Sequence, residues 1–189
     1  MVNTFVFMGL PGSGKGKQAT LLSEKTGLPV VSTGETLRQL AKGGKVISGK
    51  IAEILNSGKL MPYWFGSYIS QQALLEFPEG TGAIFDGVGR TEPEARLFAD
   101  ICDWLGRDFR VLNIKVSEAA VAERLRKRQE IEGRKDDNPL VFQNRLKNFY
   151  EHTVPAVEFF RSIDKVIDID GEPLPDVVFA ELWQKVSAL

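Results

Sequence analysis

The sequence predicts an α/β fold, a parallel sheet with helices packed on both faces. Three observations carry that expectation. Short apolar runs alternate with helical segments from end to end, the pattern of repeated strand–helix–strand units. The first run, Val2 to Met8, is almost continuously apolar, as in strands covered on both faces. Directly after it stands Gly9-Leu10-Pro11-Gly12-Ser13-Gly14-Lys15-Gly16, with G-x-x-x-x-G-K spacing between a strand and a helix.

The elements follow in order. A helix is predicted from about Lys15 to Thr26, stopped by Gly27 with Pro29 beyond. Pro29-Val30-Val31 is a short strand. Ser32, with Glu35 three residues on, reads as a capping box opening a helix that stops at Gly43-Gly44. Val46 to Ser57 and Tyr63 to Phe77 are two further helices, ended by Gly58 and Pro78. Ala83-Ile84-Phe85 is a buried strand leading into Asp86. Glu92 to Leu105 is helical, Phe109 to Val116 a strand, and Ser117 caps a basic helix through about Gln129. Asn138-Pro139 is an N-cap with a favoured N1 proline, opening a long helix to about Ser162 that Pro155 should kink. Val166 to Ile169 is the last strand and Leu174 to Val186 the closing helix.

The chain has 189 residues, 43% hydrophobic and 26% charged, enough for one domain with a core. Its net charge of −1 gives no global field for nucleic acid, so an anion site must be built locally. Cys102 is the single cysteine, which excludes an internal disulfide and a cysteine-held zinc. No run approaches the ~18 apolar residues of a membrane span, and the first residues are too short for a secretory signal. A cytoplasmic protein without membrane or nucleic-acid partners is expected.

The glycine-rich stretch has the chemistry of a phosphate-binding loop. Glycines turn several N–H groups toward one point, the next helix adds its positive end, and Lys15 supplies a cation. The Ser or Thr that usually follows the lysine is Gly16 here, then Lys17. Ligands of parallel α/β sheets bind beyond the carboxyl ends of the strands, where this loop, Thr33-Gly34 and Asp86 fall. Arg38, Arg90, Arg124, Arg128, Arg134 and Arg145 sit at the edges of predicted elements; solubility explains any one of them, though not all six.

These residues together resemble the adenylate kinase and nucleoside monophosphate kinase family, in its short-lid form. The loop matches, as do Ser32-Thr33-Gly34-Glu35 with Leu37-Arg38, Gly58-Lys59-Leu60-Met61-Pro62, Asp86-Gly87-Val88-Gly89-Arg90-Thr91, Arg124 to Arg128, Gly133 to Asp137, and Arg145, Tyr150, Thr153 and Pro155. The resemblance covers nearly the whole chain. It implies a P-loop NTPase-type sheet of five parallel strands, with the core at about 1–32, 78–128 and 139–189. It also implies a helical acceptor-binding insert at about 33–77 and a short lid at about 129–138.

It further implies Mg²⁺-dependent, reversible transfer of the terminal phosphoryl of ATP to a nucleoside monophosphate, AMP above all, by a monomer. Gly12, Ser13, Gly14, Lys15, Gly16, Lys17, Arg124 and Arg128 would then hold ATP, with Arg124 stacked on the donor adenine. Thr33, Arg38, Met61, Gly87, Arg90, Glu94, Arg134 and Arg145 would hold the acceptor. Lys15, Arg90, Arg128, Arg134 and Arg145 would surround the transferring group, Asp86 would hold Mg²⁺ through water, and Asp136 and Asp137 would steady the lid arginines. Asp137 and Asp86 also have plain readings, as a helix-start acid and a strand-end turn residue.

Several positions depart from the family. Lys17 replaces a threonine, and either adds donor affinity or points to solvent. Val88-Gly89 replaces Phe-Pro, which loosens the backbone beside Arg90. Tyr63-Trp64 replaces an acidic pair, as packing or as a wall of the acceptor pocket. Glu94 stands where the family has the glutamine that pairs with the acceptor adenine. An ionised carboxylate only accepts hydrogen bonds, which suits guanine, unless Glu94 turns to solvent. A shifted acceptor such as GMP, and a nucleotide-binding module with weak or lost turnover, remain as alternatives.

Overall fold

Five strands form one parallel sheet: β1 (Thr4–Gly9), β2 (Val30–Ser32), β3 (Ala83–Asp86), β4 (Phe109–Lys115) and β5 (Val166–Asp170), ordered β2-β3-β1-β4-β5. The computed structural model describes residues 2–132 and 139–189, without the side chains of 128–132 and 139. The helices are α1 (Lys15–Thr26), α2 (Thr33–Lys42), α3 (Val46–Ser57), α4 (Tyr63–Glu76), α5 (Glu92–Trp104), α6 (Glu118–Glu132), α7 (Pro139–Asn148), α8 (Val154–Ser162) and α9 (Pro175–Val186).

The central strand shows why β1 reads as a continuous apolar run. Val6 and Met8 face a core with Phe85, Phe98, Val111 and Phe160, while Phe5 and Phe7 face a second core with Leu22, Ile84, Leu112 and Leu182. On the first side Phe85, Phe98, Phe109 and Phe160 stack edge to face, with successive ring centroids 5.3, 5.3 and 5.7 Å apart. Cys102 is buried in the same core, and burial pushes its thiol up to about 12, so it serves as a small apolar side chain. The helices α2 to α4 bury Leu37, Ile51, Phe65 and Ile69 in a smaller cluster of their own.

The register brings the functional strand ends together. Phe7 and Ser32 both pair with Asp86, and Gly9 pairs with Ile114, so the carboxyl ends of β2, β3, β1 and β4 lie side by side.

Four local expectations are corrected. β1 starts at Thr4 instead of Val2. The basic helix runs on to Glu132 instead of ending near Gln129; residues 133–138, with Arg134, Asp136, Asp137 and Asn138, lie outside the described residues. Ser32 Oγ accepts from the Glu35 N–H, but the Glu35 carboxylate turns to Arg38 at 2.9 Å, so only half of the capping box forms. The long helix is broken before Pro155, by a π turn over Phe149–Thr153 in which the Val154 N–H bonds Phe149 O, five residues back. Proline has no N–H for the carbonyl four residues earlier, so a break beside it costs the helix little.

Candidate active site

The loop after β1 is built around the head of α1. Gly14 is the N-cap of α1, left-handed at φ 95°, with no side-chain cap, so the helix end faces the loop. Lys15 Nζ donates to Gly9 O and Leu10 O, both at 2.8 Å, and reaches Ser13 Oγ at 3.5 Å. The ammonium thus stands over the loop, held by the loop's own oxygens. The loop rests on α6, where a Cβ at Gly12 would lie 2.9 Å from Leu125 Cγ.

A cleft of about 630 Å³ opens beyond the strand ends. Among the described residues its lining brings in Lys15, Lys17, Arg38, Lys59, Arg90, Arg124 and Arg145, against Glu35 and Asp86 alone as acids. A chain of net charge −1 therefore concentrates positive charge at one place, which suits a polyanionic ligand. Arg124 donates to Gly171 O and Glu172 O, each at 2.9 Å, and to Ser13 O at 3.5 Å, which fixes its guanidinium beside the loop. Arg38 lies against Gly34, and its partner Glu35 is held below the usual carboxylate range by that guanidinium. Arg90 lies against Gly87, where a Cβ would come within 2.7 Å of its Nη2. Asp86 ends β3 with Oδ2 facing the first turn of α1, 3.6 Å from where a Gly16 Cβ would stand. One carboxylate beside a phosphate loop fits Mg²⁺, which keeps much of its water and takes the rest of its ligands from substrate phosphates.

The profile of the family described as "Adenylate kinase" matches residues 7–165. A protein named "Adenylate kinase" from Azobacteroides pseudotrichonymphae genomovar. CFP2 is 36% identical over 191 residues, covering 100% of this chain and 99% of that protein. One of the same name from Caulobacter sp. (strain K31) is 35% identical, covering 97% and 98%. A third, from Prochlorococcus marinus (strain NATL1A), is 35% identical, covering 95% and 96%. The chain belongs to the adenylate kinase family. It is a nucleoside monophosphate kinase with the P-loop NTPase sheet of that family.

Of the residues singled out from the sequence, the cleft of this adenylate kinase family member gathers Gly12, Gly14, Lys15, Gly16, Lys17, Arg38, Met61, Asp86, Gly87, Arg90, Arg124 and Arg145. Lys17 is exposed at its rim. Ser13 and Thr33 are buried beside it, and the Thr33 hydroxyl has no hydrogen-bond partner. The Arg128 side chain and Arg134 lie outside what is described. Tyr63 and Trp64 do not wall the cleft, and Trp64 packs edge to face on Phe65 at 5.5 Å between ring centroids. Tyr63 and Trp64 are exposed, at 56% and 59%, and stand outside the cleft lining. Gly89 is not a loose point either. It is buried, and a Cβ there would lie 3.1 Å from Phe160 Cε2, so the aromatic core packs against this loop.

Glu94 does not turn to solvent; it is buried, and its Oε2 accepts from the Arg90 N–H at 2.8 Å. The partner that sequence reasoning missed is Gly66 of α4, where a Cβ would stand 3.2 Å from Glu94 Oε1. A glycine inside a helix costs about 1 kcal/mol against alanine, and here it makes room for the carboxylate. Its only visible signal was a lone glycine within an otherwise helical run.

Burial pushes the Glu94 carboxyl above its ordinary value, against the opposing pull of the Arg90 N–H, the Arg90 charge and Thr91. The folded protein therefore keeps this proton to higher pH than the unfolded chain. Its contribution is fully present below the unfolded pKa and is lost as pH rises through the folded one. Glu94→Gln keeps an acceptor for Arg90 and cannot ionise. Its urea midpoint should exceed that of the native chain at pH 7, with the difference closing toward pH 4. A difference independent of pH would show that the carboxyl titrates normally.

Proposed function

We propose that the chain catalyses the reversible transfer of the γ-phosphoryl group of Mg·ATP to AMP, giving two ADP. The bond from the γ-phosphorus to the β,γ-bridging oxygen breaks, and a new bond forms to an oxygen of the AMP phosphate. The observation that carries this reading is the single cleft in which the phosphate loop, the uncapped end of α1 and a ring of cations meet. Such a transfer needs positioning and stabilisation of spread negative charge more than covalent help. The relatives' name favours AMP over GMP as acceptor, and an active enzyme over a binding module.

On this reading the loop from Gly12 to Lys17, with Arg124 and Arg128, holds ATP. Arg38 and Arg90 clamp the acceptor phosphate, where planar two-pronged donors suit the oxygens. Gly87 gives Arg90 its close seat. Lys15, Arg90, Arg128, Arg134 and Arg145 surround the transferring group. Thr33, Met61 and Glu94 border the acceptor base. A buried hydroxyl without a partner is costly, and a base in this half of the cleft satisfies Thr33. Asp86 would hold Mg²⁺ through water, and the ion would supply positive charge against the phosphates. Cytoplasmic residence and a monomeric state belong to the same proposal; no helix among the described residues is long and apolar enough to cross a membrane.

The test is turnover of Mg·ATP with AMP, GMP, CMP and UMP. AMP is expected to give a kcat/KM at least about tenfold above any other. Preference for GMP would assign base choice to an ionised Glu94, and ATP binding without transfer to any acceptor would overturn the enzyme reading.

A further inference from the structure

Three polar side chains after residue 138 each donate to a backbone carbonyl distant in sequence. Asn144 Nδ2 bonds Ser57 O, Asn148 Nδ2 bonds Gly58 O, and Thr153 Oγ1 bonds Arg90 O, all at 3.0 Å. The first two carbonyls belong to the turn that ends α3, the third to the loop that carries Arg90. The approach is close. A Cβ at Gly58 would stand 2.7 Å from Val141 O, so α7 lies directly on that turn.

The spacing of the three donors explains the π turn. Asn144 and Asn148 are four apart and share a face of α7. Thr153 is five further on, and in an unbroken α-helix it would sit about 140° round from Asn148. In the π turn each N–H reaches the carbonyl five residues back, as Val154 does to Phe149. Residue 153 then stands above 148, as residue 152 would in an α-helix. The extra residue per turn thus keeps the third donor on the side of the first two, and Pro155 directly after it favours the break.

At the other end of the same residue, the Arg90 N–H is taken by Glu94 Oε2 at 2.8 Å. Arg90 is therefore gripped by both its backbone groups, from α5 and from the π turn. Thr153 is buried, so its hydrogen bond is not traded freely with water.

We propose that Asn144, Asn148 and Thr153 are positioning residues, a ladder on one face of the α7–π turn–α8 rod that sets Arg90 and the α3–α4 turn in place relative to Arg145 on the same rod. The π turn is the device that brings Thr153 into line. This rests on the acceptor role proposed for Arg90. The rod thereby ties the segment that follows residues 133–138 to the acceptor half of the cleft.

The test compares Thr153→Val, Thr153→Ser and Asn148→Ala with the native chain, measuring kcat, KM for AMP, KM for Mg·ATP and thermal midpoint. Thr153→Val keeps the shape and removes the donor. It should raise KM for AMP and lower kcat, by about three- to tenfold in kcat/KM, with KM for Mg·ATP within twofold. Thr153→Ser, which keeps the hydroxyl, should recover most of that loss. The effect of Thr153→Val on AMP affinity should also vanish in an Arg90→Ala background, since a clamp without its arginine has nothing to place. Equal behaviour of the valine and serine variants, a fall in thermal midpoint with unchanged constants for AMP, or the same loss with and without Arg90 would overturn the ladder. If Thr153→Val does not fold, Asn148→Ala decides: a selective rise in KM for AMP supports the ladder, and unchanged constants overturn it. Native chain inactive with AMP would instead overturn the reading on which the ladder rests.

Discussion

Lys15→Met is expected to lower kcat by about 10²- to 10³-fold, the scale of removing one preorganised group that stabilises charge in the transition state. Methionine keeps a long unbranched stem and a good helix propensity, so α1 has no reason to unravel. What goes is the cation. Nζ is held by Gly9 O and Leu10 O at 2.8 Å, so the loop's own carbonyls fix the charge over it. Preorganisation of this kind makes the loss fall on kcat as well as on KM for Mg·ATP. The two carbonyls left behind lose a charged donor, each such bond worth about 1.5–3 kcal/mol, but they can turn to water at the mouth of the cleft, which offsets most of that loss. Stability should therefore change little while turnover collapses. A variant within threefold of the native rate would remove Lys15 from the transferring group and leave it as a strut of the loop.

Much of this arrangement is legible in the residues, and the unreadable parts have physical reasons. β1 and β3 announce themselves because they are covered on both faces and are almost wholly apolar, whereas β4 carries Arg110, Asn113 and Lys115 among its 7 residues and reads less plainly. Their order in the sheet is not written locally, since any of several arrangements buries the same side chains. The glycine-rich loop and the arginines are legible because phosphate chemistry admits few residue types. Pro155 signals a break but not its kind: the π turn follows from where Asn148 and Thr153 must point, which is a tertiary requirement. Glu94 is ambiguous for a similar reason. Its polarity suggests solvent, and only the facing Gly66 and the Arg90 N–H, distant or hidden in sequence, explain how a carboxyl is buried there. Glu35 looks like the second half of a capping box, yet an arginine one turn away attracts its charge more strongly than a backbone N–H does.

Gly9→Ala should be the more damaging of two alanine substitutions in the loop, and the contrast with Gly14→Ala isolates the cause. Both glycines have positive φ, 136° and 95°, so both substitutions strain the backbone by roughly 1–2 kcal/mol. Around Gly14 nothing lies within 4 Å of the new Cβ, and the cost ends there. At Gly9 the Cβ would stand 2.4 Å from Ile114 O and 3.0 Å from Ser13 Oγ. The first is a carbonyl of the neighbouring strand, so relief requires β1 and β4 to part at their carboxyl ends. Overpacking of that kind adds about 1–3 kcal/mol. It also shifts Gly9 O, one of the two carbonyls that hold Lys15 Nζ, so stability and ATP affinity should fall together. In a chain of this size each 1 kcal/mol lowers the thermal midpoint by about 2–4 °C, so the two variants should separate clearly in a melt. In kinetics, Gly9→Ala should raise KM for Mg·ATP more than Gly14→Ala does. If Gly14→Ala proves the worse on both measures, the loop is limited by the N–H groups at the head of α1 and not by the close approach of β1 to β4.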